Sequence, residues 1–173
     1  MNQRKIEVVR YDPAWVATFK LEQSLLKQVL GNVAMEIEHI GSTAVPGLAA
    51  KPVIDILIEV SDFSELESKA HAMESIGYLV MGENGIAGRR YFQKGGNQRS
   101  HHVHAFEAGD THLLRHRAYR DYLIAHPDVA TEYAETKRIA AGACANDISQ
   151  YMSLKDNFIK KHETLAVEWY ISR

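Results

Sequence analysis

Apolar and polar positions alternate most strictly between Pro52 and Val60, where Ile54, Ile56, Ile58 and Val60 interleave with Val53, Asp55, Leu57 and Glu59. A period of two predicts a strand whose Ile/Val face lies on the core, with Asp55 on the other face. Ile6 to Arg10 and Ala34 to Ile40 read as further strands, as do Tyr78 to Met81, Arg90 to Lys94 and His101 to Phe106. Gly95-Gly96-Asn97 between the last two suits a hairpin turn. Between the first two, Asp12-Pro13 opens a helix whose apolar face is Trp15, Phe19, Leu25, Leu26 and Val29, and Gly31 closes it. Asp62 begins a second helix that runs to Ile76 and ends at Gly77. Beyond Thr111 the pattern is helical to the chain end, broken near His126-Pro127 and Asn146-Asp147. Strands therefore fill the first hundred residues and helices the rest, an α+β order rather than repeated βαβ units.

Composition narrows the classes. A chain of 173 residues without repeats, low-complexity tracts or linkers reads as one domain over 1–173. Its net charge of −2 demands no nucleic-acid backbone and no anionic membrane as partner. A local basic pocket is all that a small polyanion needs. The single cysteine, Cys144, excludes an internal disulfide and a zinc–cysteine cluster, and its Ala-rich surroundings suit a small packed residue. The charged N-terminus has no apolar stretch like that of a signal peptide, and no run approaches a membrane span, so the expected location is cytoplasmic.

Chemistry concentrates between His39 and Ile56. A strand runs into Gly41-Ser42, a loop of small residues follows, and the next strand presents Asp55. Gly41 lets the backbone approach a phosphate, Ser42 and Thr43 add hydroxyl donors, and Lys51 supplies positive charge. Asp55 suits a divalent metal bridging phosphates, with Mg²⁺ the first expectation and another divalent ion the alternative. The loop is not a Walker A motif, because Gly41 and Gly47 are too far apart and Leu48 stands where that motif needs lysine.

His101-His102-Val103-His104 places His102 and His104 on one strand face, about 6–7 Å apart. The pair can ligate a metal together with Asp55, donate to phosphate oxygens, act as general acid and base, or serve as ordinary sheet residues. Arg89, Arg90 and Arg99 are candidate phosphate clamps, with exposed sheet-edge charge as the plainer account. In the helical half, Lys137 follows Tyr133 by four residues and Lys155 follows Tyr151 by four, each on an otherwise apolar stripe. A lysine there snorkels, pairs or enters a polar pocket. If Lys137 and Lys155 converge with Tyr151, Lys51 and an arginine, that pocket suits a triphosphate. Arg120-Asp121 reads as a salt bridge, and the apolar Trp169-Tyr170-Ile171 as a segment that docks on this domain or on a second subunit.

These segments together resemble the GrpB family, within the nucleotidyltransferase superfold. The likeness runs from Tyr11-Asp12-Pro13-Ala14-Trp15 to the helix around Lys155, and it is most specific in His39-Ile40-Gly41-Ser42-Thr43 and Lys51-Pro52-Val53-Ile54-Asp55-Ile56. The resemblance implies a nucleotidyltransferase-like mixed β-sheet flanked by helices, with triphosphate on the Gly-Ser turn and metal on nearby acids. It also implies transfer of a nucleotidyl or phosphoryl group from an NTP, ATP first, to an acceptor, or alternatively non-catalytic binding of a nucleotide or phosphorylated small molecule. Domains of this type also occur fused to dephospho-CoA kinase. A third reading is a metal-dependent hydrolase using Asp55, His102 and His104. The chain departs from the superfold at Leu57, where a second carboxylate commonly stands. The next acid on that face, Glu59, lies roughly 13 Å from Asp55. Glu38, Glu107 or Asp110 on another element could restore the pair.

Overall fold

A computed structural model describes residues 7–144 and 147–173. Five strands form one mixed sheet: β1 (Ala34–Ile40), β2 (Ile54–Val60), β3 (Leu79–Val80), β4 (Arg89–Lys94) and β5 (His101–Glu107). Their order is β1-β2-β5-β4-β3, with β2 and β5 parallel and every other neighbour antiparallel. The helices are α1 (Ala14–Leu30), α2 (Phe63–Glu67), α3 (Ala70–Ser75), α4 (Thr111–Ala125), α5 (Pro127–Ala143) and α6 (Ile148–Ser172). This is the expected α+β architecture of a mixed sheet flanked by helices, with a helical C-terminal half.

The alternation in β2 decides which layer covers which face. Ile54, Ile56 and Ile58 pack with Phe92, Val103 and Ala105 beneath α1 and α3, through Trp15, Phe19, Leu26, Leu30 and Met73. Full burial of such side chains is worth about 1.5–3 kcal/mol each and anchors the sheet. The α1 stripe also carries Glu22, which receives Tyr78 Oη and Lys94 Nζ at 2.6 Å each, so this buried charge is paired. On the opposite face Leu57 joins Ile40, Phe106 and Leu113 of α4. Both faces of β2 are thus covered, which is why Leu57 is 0% exposed.

Two expectations differ from the structure. In place of a strand over Ile6 to Arg10, the described residues make a single bridge, Val9 to Ala50, and Ile6 lies outside them. The helix expected from Asp62 to Ile76 is two short helices. Asp62 caps the first, as expected, but the Ser68 hydroxyl donates to Glu65 O and turns the chain out of helical register before α3. The break near Asn146-Asp147 is described only at Asp147, whose side chain caps α6. Cys144 is fully buried against Ala140 and Tyr151, and Trp169 and Tyr170 pack into the α4–α6 layer of this same chain.

Candidate functional site

The segment between β1 and β2 ties the two halves together, because Val45 and Leu48 insert among Tyr122, Leu123, Ala130 and Tyr133 of α4 and α5. That docking sets α5 and α6 over the end of β2 where Asp55 lies. The result is a cleft of about 360 Å³ with the Gly41-Ser42-Thr43 turn, Lys51 and Asp55 on one side. Lys137, Tyr151 and Lys155 close the other side, and His102 and His104 line the floor.

Asp55 stands level with His102 across the β2–β5 ladder, and His104 follows on the same face. His104 Nε2 lies 3.1 Å and His102 Nδ1 3.4 Å from Asp55 Oδ1. Burial works to raise the Asp55 pKa, but the hydrogen bonds of His102 and His104 outweigh it and hold the carboxyl well below its usual range. Behind the histidines, Arg89 Nη1 lies 3.3 Å from His104 Nδ1, and Arg99 Nη1 lies 3.2 Å from His102 Nε2. The Tyr91 ring packs against both imidazoles, with the Arg89 guanidinium over it.

Gly41 is needed here for a reason the sequence did not reveal. Its φ is +74°, and a Cβ at this position would sit 2.8 Å from Asp55 Oδ2. Thr43 lines the cleft but is 2% exposed. Its hydroxyl is engaged by His39 Nε2 at 2.9 Å and Val53 O at 3.4 Å, so it braces the turn. Burial depresses His39 to about 4, which leaves a neutral ring for that brace.

The two Tyr/Lys repeats converge as the helical spacing requires. Lys137 Nζ sits 4.5 Å from the Tyr133 ring centroid, while Lys155 and Lys51 approach the Tyr151 ring at 4.6 and 4.8 Å. Lys137 is 2% exposed, and no hydrogen-bond partner reaches its Nζ among the described residues. Burial, then the charges of Lys155 and Lys51, lowers its pKa to about 6 against the attraction of Asp55. Lys155 is lowered to about 8 by burial and then Lys51. Burial also raises the Tyr133 hydroxyl to about 12 and pushes the Tyr151 hydroxyl up.

Arg90 is not brought to the cleft. It faces the α1–α3 layer, donates to Glu67 at 3.0 Å and lies over the Phe63 ring, because the pleat that turns Tyr91 toward His104 turns Arg90 away. None of the substitute acids reaches Asp55 either. Glu38 and Glu59 are held by Arg117, and Glu38 also by Arg120. Glu107 and Asp110 bond the first turns of α2 and α4. Arg120-Asp121 is the expected ion pair.

These contacts also decide what the donor set fits. Asp55, His102 and His104 offer three atoms within 4.8 Å of one another, close enough for one ion. Both imidazoles place one nitrogen against an arginine and the other against Asp55. Asp55 Oδ2 lies beside Gly41 on a side chain 30% exposed, an oxygen that could hold a divalent ion. Sequence reading missed His39 as the brace and the arginine–histidine pairing. Alternation along β4 puts Arg89 on the face of Tyr91 and could have revealed the first pair, whereas no pattern announces Arg99 in a turn.

Comparisons with known proteins bear on the family and the fold. A family model described as GrpB protein matches residues 5–164. The UPF0157 protein YqkA of Bacillus subtilis is 47% identical over 167 residues, covering 96% of this chain and 49% of its own length. This chain thus spans about half the length of that relative. The crystal structure of conserved protein GrpB from Enterococcus faecalis superposes with a TM-score of 0.91 at 45% identity, covering 95% of this chain and 99% of that one. A dephospho-CoA kinase of Mycobacterium leprae is 26% identical over 190 residues, 94% of this chain and 46% of its own. With a family match across nearly its whole length and a solved member of the same shape, the chain belongs to the GrpB family.

Proposed function

We propose that the cleft binds a nucleoside triphosphate, ATP first, through its phosphates and transfers a nucleotidyl or phosphoryl group to an acceptor. One observation carries the reading: Lys137 is buried without a hydrogen-bond partner among the described residues and faces the same cleft as Lys51 and Lys155. A protein does not bury an amine beside two further lysines without cost, and a polyanion removes that cost. In this reading Gly41 and Ser42 approach the phosphates, while Lys51, Lys137 and Lys155 neutralise them. Asp55 stays ionised and takes a hydrogen bond from the acceptor, with His102 and His104 holding its orientation. Catalysis is then positioning plus charge stabilisation. Mg²⁺ on Asp55 Oδ2, when bound, would offset charge on the phosphates.

The lone carboxylate favours a second reading, a nucleotide- or phosphometabolite-binding module without transfer. The likeness to a dephospho-CoA kinase makes CoA precursors its first candidates. Isothermal titration with ATP, inorganic triphosphate and dephospho-CoA, run beside a γ- and α-labelled transfer assay, separates the two. Binding with label transfer that Asp55→Asn abolishes supports the transferase. Binding without transfer supports the module, and no binding of any of the three refutes both.

A further inference from the structure

The four contacts around Asp55 carry more than an orientation. A guanidinium donates hydrogen bonds and never accepts them. The ring nitrogen that faces it, His104 Nδ1 at 3.3 Å from Arg89 and His102 Nε2 at 3.2 Å from Arg99, must therefore present its lone pair. A neutral imidazole has one such lone pair, so its proton sits on the opposite nitrogen. In both residues that nitrogen is the one aimed at Asp55 Oδ1, Nε2 of His104 at 3.1 Å and Nδ1 of His102 at 3.4 Å. Two histidines on the same face of one strand are thereby set in opposite tautomers.

We infer that Arg89 and Arg99 are positioning residues which fix these tautomers, so that His104 and His102 serve as hydrogen-bond donors to Asp55 and stay out of metal coordination. An imidazole binds a metal through its lone pair. Here both lone pairs point away from the carboxylate and into a cation. The surroundings hold the arginines in that role. Arg89 is 7% exposed, with Nε and Nη2 spent on the carbonyls of Glu83 and Asn84. Arg99 is held by Gln93 Oε1 at 2.6 Å and by Gly96 O at 2.8 Å. Neither can turn away without leaving those partners. Asp55 Oδ1 is then saturated and Oδ2 is the oxygen offered to a ligand, which leaves a site of one carboxylate oxygen rather than two histidines and a carboxylate.

The inference rests on Asp55 as the carboxylate of the proposed site, but its test needs no nucleotide, so the two fail separately. Long-range ¹H–¹⁵N correlation spectra of the ligand-free protein at pH 8 report which ring nitrogen carries the proton. His104 is expected with a pyrrole-like Nε2 and a pyridine-like Nδ1, and His102 with the reverse. Arg99→Leu changes a half-buried turn residue. It should let the His102 proton move to Nε2 while His104, still held by Arg89, keeps its pattern. A purely structural role for Arg99 would leave the His102 pattern unchanged. Cobalt(II) added to the wild type should not shift or broaden either imidazole through direct coordination. The same tautomer at both histidines, an unchanged His102 in Arg99→Leu, or cobalt ligation by either ring in the wild type would each overturn the inference. If Arg99→Leu fails to fold, the wild-type tautomers and the cobalt titration still decide it.

Discussion

Replacing Lys137 with methionine tests whether the cleft stores an unmet charge. The lysine has an ordinary pKa of 10.5 when unfolded, and burial lowers it to about 6 in the folded chain. Between those values the unfolded state binds more protons, so the stability linked to this group rises with pH and is lost as pH falls toward 6. At pH 7.5 the folded amine is mostly neutral, and deprotonating it against roughly three pH units costs about 4 kcal/mol at ~1.4 kcal/mol per unit. Relaxation and water entry reduce this, so a gain of about 2–4 kcal/mol is expected for Lys137→Met. Methionine has similar length, and the substitution orphans no hydrogen bond because Nζ has none among the described residues. Urea unfolding of both proteins at pH 6.5, 7.5 and 9 reads the effect. The variant should be more stable, its advantage should shrink as pH rises, and stabilisation by inorganic triphosphate should vanish. A variant less stable than wild type at pH 7.5, or a difference that ignores pH, would refute the reasoning.

Four other outcomes are expected. Triphosphate binding near pH 7.5 should take up a proton as Lys137 recharges, read from titration enthalpies in buffers of different ionisation heat. Gly41→Ala should cost about 1–3 kcal/mol in urea unfolding, since φ is +74° and the new Cβ meets Asp55, and it should weaken ligand binding as well. Leu57→Asp should lose 3 kcal/mol or more in the same assay, on the order expected for an unpaired buried charge, and should gain no second metal in metal analysis. Arg90→Ala should change stability by less than about 1 kcal/mol, because its Glu67 partner is 59% exposed, and should leave triphosphate titrations unchanged.

Where periodicity was strong, the sequence was informative. Alternation from Ile54 to Val60 located the strand, its core face and the placement of Asp55 on the other face, and the Tyr-x-x-x-Lys repeats located two cleft lysines on separate helices. The failures have physical causes. Arg90 and Arg89 are equally basic neighbours, and only the register of β4 against β5 says which one faces the histidines. Thr43 and Ser42 look alike as donors, but a half-buried histidine from β1 claims the first. The split between α2 and α3 follows from one serine hydroxyl competing for a carbonyl, which carries no signal in hydrophobic pattern.

Charge balance links the missing acid to the extra lysines. At position 57 a second carboxylate would lie under α4 among Ile40, Phe106 and Leu113, an apolar setting that penalises its charge. The sheet therefore offers one carboxylate, and two histidine N–H groups already occupy one of its oxygens. Against it the cleft sets three lysines, two of them on helices that must bury their amines to close over β2. Burying Lys137 and Lys155 beside Lys51 lowers the pKa of both amines and weakens that closure without ligand, and a polyanion reverses the sign of the interaction. Stabilisation by ligand should accordingly exceed what contacts alone supply and should concentrate in α5 and α6. Amide hydrogen exchange with and without triphosphate would place it there. Protection spread evenly over the sheet would instead mean that the lysines recharge without tightening the helices.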